Sequence, residues 1–164
     1  MFQHLLREES IRVNFDGNSR EAILAELVAL LPGWGISPRH KRIILDRLLD
    51  QPSETIFFGE EVLFATCTIP GIAFPLASLV VSRSGASFAT HSHEYLNFMF
   101  LVILPEHEDS ESQRLRLIQD VMNFDKESFL KQRLKIAENP EEAYEIILRE
   151  GQVEIPAAVQ YSTV

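Results

Sequence analysis

The stretch Tyr95-Leu96-Asn97-Phe98-Met99-Phe100-Leu101-Val102-Ile103-Leu104 decides the fold. It is apolar except for Asn97, and at about half the roughly 20 residues that a bilayer span requires it is too short to be a membrane helix. A strand with one face in water would alternate polar and apolar residues. This one does not, so it reads as a central strand covered on both faces. The segments around it keep strand character. Thr55 to Thr68 and Ala77 to Ser82 are rich in phenylalanine and β-branched residues, punctuated by Gly59 and by Pro70-Gly71. Ser10 to Phe15 alternates Ile11, Val13 and Phe15 on one face, as a short edge strand would.

Outside this block the period changes to that of helices. Asn18 and Glu21 form a capping box ahead of Ile23, Leu24, Leu27, Leu30 and Leu31, and Pro32-Gly33 ends the run. Ser37-Pro38 opens a second helix with Ile43, Ile44, Leu48 and Leu49, ending near Asp50. A third is expected from about Asp109 to Met122 with Leu115, Ile118 and Val121 inward. The fourth is capped by Asp125 with Phe129, Leu130, Leu134 and Ile136 or Ala137 on its stripe. Asn139-Pro140 and Glu142 cap the fifth, which carries Ala143, Ile146 and Ile147. Helices before and after a strand block with a doubly covered central strand imply an α/β fold, a mixed central sheet flanked by helices on both faces. The domain is expected over residues 10–151, with a lead-in at 1–9 and an extended tail at 152–164. Trp34, between Gly33 and Gly35, is expected to anchor the turn between the first two helices.

A length of 164 residues with 46% apolar composition suits one domain with a real core. The formal net charge of -9 repels phosphate backbones and anionic lipid, so neither a nucleic-acid partner nor membrane insertion is expected. The acidic start of the chain lacks the pattern of a signal peptide, which points to the cytoplasm. Cys67 is the single cysteine, so no internal disulfide or multi-cysteine metal site can form; its apolar neighbours suggest a small core residue. No cofactor or metal is expected.

The run Phe98 to Pro105, followed by a polar loop from Glu106 to Ser112 and by Arg114-Leu115-Arg116-Leu117-Ile118, resembles the type-2 EIIA domains of the phosphotransferase system, the fructose/mannitol-specific and nitrogen-regulatory branch. The likeness continues through Phe129 to Ala137 and Asn139 to Ile147. Earlier in the chain it includes Ser19 to Leu27 and Ile44-Leu45-Asp46-Arg47. It covers about residues 10 to 150 and rests on order and spacing. The resemblance implies an EIIA sandwich and a phosphoryl group carried on a histidine, but the histidine is missing. Counting by length places Thr66 at its position, and aligning on Ile69-Pro70 places Gly71 there. The supporting histidine corresponds to Arg114. An imidazole takes and releases a phosphoryl group readily near pH 7. A threonine hydroxyl does not form a comparable relay species, and glycine has no side chain.

Other groups carry chemistry. His91 and His93 would share a face if their segment is extended, as displaced phosphoryl acceptors or half of a metal site, against the plainer reading of a polar loop. His107 stands among Glu106, Glu108 and Asp109, roughly 30 Å from that pair across a ten-residue strand. Arg114 could clamp an anion in a vestigial pocket or pair with Glu108 or Glu111. His40, with Arg39, Lys41 and Arg42, forms a basic cluster that reads as a solvated helix face. Three functions follow: a degenerate regulatory or protein-interaction module without the phosphohistidine relay, a phosphoryl-transfer protein using His91 or His93, and an anion or small-molecule sensor. The partner implied is an HPr-like phosphocarrier or a regulated target. Phe57, Phe58, Phe64 and Phe74 allow a homodimer interface, although a filled core accounts for them more simply.

Overall fold

Leu96–Pro105 is the middle strand of a mixed sheet, and all ten of its residues are buried. The computed structural model describes residues 2–50, 56–88 and 95–149. In chain order these form 3-10 turns at Phe2–His4 and Glu8–Ser10, then β1 (Ile11–Arg12), α1 (Arg20–Ala29), α2 (Pro38–Asp50), β2 (Ile56–Phe58), β3 (Val62–Ile69), β4 (Leu76–Ala86), β5 (Leu96–Pro105), α3 (Ser110–Asp125), α4 (Ser128–Lys135) and a helix α5 over residues 140–149. Among the described residues the sheet runs β1-β4-β5-β3-β2. Strand β5 is parallel to β3 and antiparallel to β4, while β1 is parallel to β4 and β2 antiparallel to β3.

The period of two in β5 sorts the core into two layers. Phe98, Phe100, Val102 and Leu104 pack with Leu117, Val121 and Phe124 of α3, Leu134 of α4, and Ala143, Ile146 and Ile147 of α5. Met99, Leu101 and Ile103 pack with Ile23, Leu24, Leu27 and Val28 of α1 and with Ile44 and Leu48 of α2. The near-continuous apolar run is thus the price of covering both faces of one strand.

Several local expectations change. Ser19, not Asn18, caps α1: its hydroxyl accepts the Ala22 N–H at 3.0 Å, while Asn18 Oδ1 accepts the Ser87 N–H at 2.6 Å and ties the helix entrance to the end of β4. In α3 the inward face is set by Leu117, Val121 and Phe124 with Ile118 packed against it, and Leu115, expected on the same face, is exposed. Phe129 and Ile136 are likewise exposed in and after α4, where Leu134 and Ala137 take the core positions. Trp34 is 58% exposed and lies against Phe74, with ring centroids 5.4 Å apart, and under the Arg7 guanidinium. Within the lead-in, Phe2 and Leu6 are buried, and Phe2 meets Phe100 and Phe124 edge-on, while His4, Arg7, Glu8 and Glu9 are exposed.

Asp125 does not cap α4. It is the last residue of α3, buried, and its carboxylate accepts the backbone N–H groups of Glu60 (2.7 Å) and Glu61 (3.3 Å) and a hydrogen bond from Lys131 Nζ at 3.3 Å. Lys131, also buried, reaches Glu61 Oε2 at 2.9 Å, and Lys135 reaches Glu61 Oε1 at 2.8 Å. This knot ties the β2–β3 turn to the α3–α4 junction. A side chain at Gly59 could not fit, since its Cβ would lie 2.4 Å from Asp125 Oδ2.

Candidate functional site

A cleft of about 400 Å3 opens where α2 crosses the carboxyl end of β3. Ser37 begins it. Its hydroxyl accepts the His40 N–H at 3.1 Å, capping α2 as the Ser-Pro sequence predicts, and lies 3.1 Å from His40 Nδ1. The imidazole is thereby folded back over its own cap, and its Nε2 is turned toward Gly71: a Cβ built on Gly71 would sit 3.6 Å away. His40, Ile43 and Arg47 recur at helical spacing, so one face of α2 lines the cleft, joined by Arg39 and closed by Ile69 and Pro70.

Arg47 is held at the end of β3, donating from Nη1 to the Thr68 carbonyl at 2.9 Å. Beneath it Cys67 is buried. Burial pushes the thiol pKa up, and the Arg47 guanidinium beside it pulls only part of the way back. Arg39 is exposed and has no hydrogen-bond or ion-pair partner among the described residues. Arg39, His40 and Arg47 thus line one opening in a chain whose net charge is -9. Chemically the cleft can bind and orient an oxyanion.

The two positions that the sequence offers for a phosphoryl acceptor are far from equivalent. Thr66 is 4% exposed in the middle of β3 opposite Val102, and its Oγ1 has no hydrogen-bond partner among the described residues. Strand alternation turns it with Phe64 toward the α3–α5 layer, away from the cleft. Gly71 is exposed, follows directly on the cleft wall at Pro70, and has φ +89°, a left-handed conformation that favours glycine. Arg114 springs from α3 in the opposite layer. Its Nη2 lies 2.6 Å from Glu111 Oε1 and its Nε donates to Oε2 at 3.2 Å, a hydrogen-bonded pair that raises the Arg114 pKa despite some burial and lowers that of Glu111. His107 stays local, with Nδ1 accepting the Asp109 N–H at 3.1 Å. No cluster of three or more metal-ligating side chains occurs among the described residues. His91, His93 and Thr55 lie outside the described residues.

The structure therefore brings together Gly71 and Arg47, both in segments that carry the family resemblance, with Arg39 and His40, which the sequence alone leaves on a solvated helix face. A signal was present. Ser37 three residues before His40 fixes where that side chain folds, and a cluster of cations in so acidic a chain is an exception to its surroundings.

No protein-family model matches the chain, and no curated protein sequence matches it significantly. Solved structures do. The nitrogen regulatory protein IIA-Ntr from Neisseria meningitidis superposes with a TM-score of 0.72 at 16% identity, covering 89% of this chain and 98% of that one. IIA mannitol from Escherichia coli gives 0.63 at 16% identity, with 87% and 98% covered. The same enzyme IIA mannitol in complex with phosphorylated enzyme IIB mannitol gives 0.62 at 16% identity, with 87% and 96% covered. No helix among the described residues is long and apolar enough to cross a membrane. With nearly the full length of each neighbour matched, the chain has the fold of the type-2 EIIA domains of the phosphotransferase system.

Proposed function

We propose that this protein is an EIIA-like regulatory module of the phosphotransferase system, cytoplasmic, which works by binding a protein partner and carries no phosphoryl group at the position where the family carries its own. The observation that bears most weight is Gly71 itself, which offers no side chain at the edge of the cleft, while Thr66 is sealed inside β3 on the other face. The buried Thr66 hydroxyl is closed to a donor and has no hydrogen-bond partner among the described residues to act as its base. That the IIA mannitol neighbour forms a complex with a phosphorylated protein supports a docking role for this fold, with an HPr-like phosphocarrier or a regulated target as the partner.

Incubation with phosphorylated HPr tests this: the protein is expected to acquire no acid-labile phosphate. Acquisition of such a label would overturn the regulatory reading in favour of a displaced acceptor. His91 and His93 are candidates for that role from the sequence, and the turn of His40 Nε2 toward Gly71 adds a third. Loss of label in His40→Ala, His91→Ala or His93→Ala would identify it.

A further inference from the structure

We propose that the cleft between α2 and the end of β3 binds a phosphate-monoester dianion and holds it without bonding to it, through Arg39, His40 and Arg47. This goes beyond the regulatory reading and rests on it in one respect, that the group is retained and not transferred.

Charge is the first argument. Arg39 and Arg47 supply two fixed positive charges to one opening, matching the charge of a dianion, and His40 Nε2 faces the same space. Arginine is the side chain best suited to such an oxyanion, because its planar fork presents parallel N–H donors. Arg47 gives one of its donors to Thr68 and another toward the Cys67 sulfur and keeps the rest, while the Arg39 side chain has no partner among the described residues. Like charges brought together on an acidic protein repel one another unless something between them neutralises the cluster.

Space is the second argument. Gly71 leaves open the place that any other residue would fill against His40 Nε2. At about 400 Å3 the cleft falls in the range of small-ligand sites and is larger than a bare inorganic anion needs. Apart from Ser37, its remaining walls, Ile43, Ile69 and Pro70, are apolar. The cations suit a phosphoryl group, and the apolar walls suit the carbon skeleton esterified to it. That skeleton can belong to a small metabolite or to a phosphorylated protein side chain, and the two sources share this chemistry.

The full-length protein is titrated with phenyl phosphate, with a phosphoserine peptide and with inorganic phosphate, followed by amide NMR shifts and calorimetry. Phenyl phosphate is expected to move the resonances of His40 and Gly71 and to bind more tightly than inorganic phosphate. Arg39→Gln and His40→Gln, both outside the core, are expected to weaken binding by about ten- to a hundredfold each, the range for a lost hydrogen bond to a charged group. Arg114→Gln should change nothing. If the peptide outcompetes phenyl phosphate the natural source is a protein; if it does not, a metabolite. Absence of shifts at the cleft, or unchanged affinity in both Arg39→Gln and His40→Gln, overturns the proposal, as does a phosphorus–nitrogen bond at His40 detected by mass. Failure to bind phenyl phosphate leaves the regulatory reading standing, whereas labelling at His91 or His93 overturns that reading and leaves anion binding at the cleft in place.

Discussion

His40 Nε2 stands 3.6 Å from the place where Gly71 would carry a Cβ, an ordinary van der Waals distance. A methyl group there meets no clash, so the cost of Gly71→Ala comes from the backbone, whose φ of +89° an L side chain rarely adopts. Part of that cost is offset by the lower entropy of the unfolded alanine chain. The expected net destabilisation is about 1 kcal/mol, read from the midpoint of urea unfolding. An unchanged midpoint would mean that this turn adjusts freely.

The knot around Asp125 should be far more sensitive. Asp125→Ala leaves the Glu60 and Glu61 N–H groups without their acceptor, while Lys131 keeps Glu61 as a carboxylate partner, and a loss of about 2–4 kcal/mol is expected. Lys131→Met in the same background should recover little of it, because Glu61 still balances that ammonium. A double variant much more stable than Asp125→Ala would instead place the cost in the Lys131 charge and not in the lost backbone hydrogen bonds.

Glu61 gives the acid side of the stability profile a direction. Burial acts to raise its pKa, but hydrogen bonds and charge from Lys135 and Lys131 outweigh that and leave it below 4.5. A carboxyl group depressed by folding stabilises the native state above its unfolded pKa and loses that contribution as pH falls through the folded value. The stability difference between the natural protein and Glu61→Gln should therefore be largest near neutral pH and shrink below about pH 4.5. Denaturant melts across that range check it; a difference independent of pH would rule it out.

Cys67 should be a poor nucleophile. The thiol is buried with a raised pKa, so alkylation of the native protein near pH 8 is expected to be much slower than that of a free cysteine and to speed up on unfolding. Native labelling at the rate of a free thiol would mean that the end of β3 opens readily.

The parts of this fold that were legible in the sequence are those where one physical requirement dominates. Both-sided burial writes itself as the nearly continuous apolar run in β5, and the Ser37-Pro38 start of α2 follows from backbone capping alone. Asp125 shows the limit. As an isolated residue between two helices it reads as a cap, and only the return of Glu60 and Glu61 from 65 and 64 residues away along the chain reveals what its carboxylate serves. The shift from Leu115 to Leu117 on α3 has a similar origin, since two stripes of leucine and isoleucine compete there and Phe124, beyond the expected end, decides between them. His40 was hidden for a different reason. Helical spacing tells which residues share its face, but that the face looks onto Gly71 depends on how α2 crosses β3, which no local pattern encodes.

Strand β3 is fastened at one end and open at the other. Its entrance at Gly59 to Glu61 is moored to Asp125, Lys131 and Lys135, and its exit at Ile69 to Gly71 forms the lip of the cleft. Between them it pairs along its whole length with β5, register by register, to Ile69 opposite Pro105. A ligand arriving at the lip therefore cannot slide the strand like a piston. Any signal it sends must travel sideways, through α2 and the loops at either side, which gives this molecule a stiff spine and confines its yielding parts to one rim.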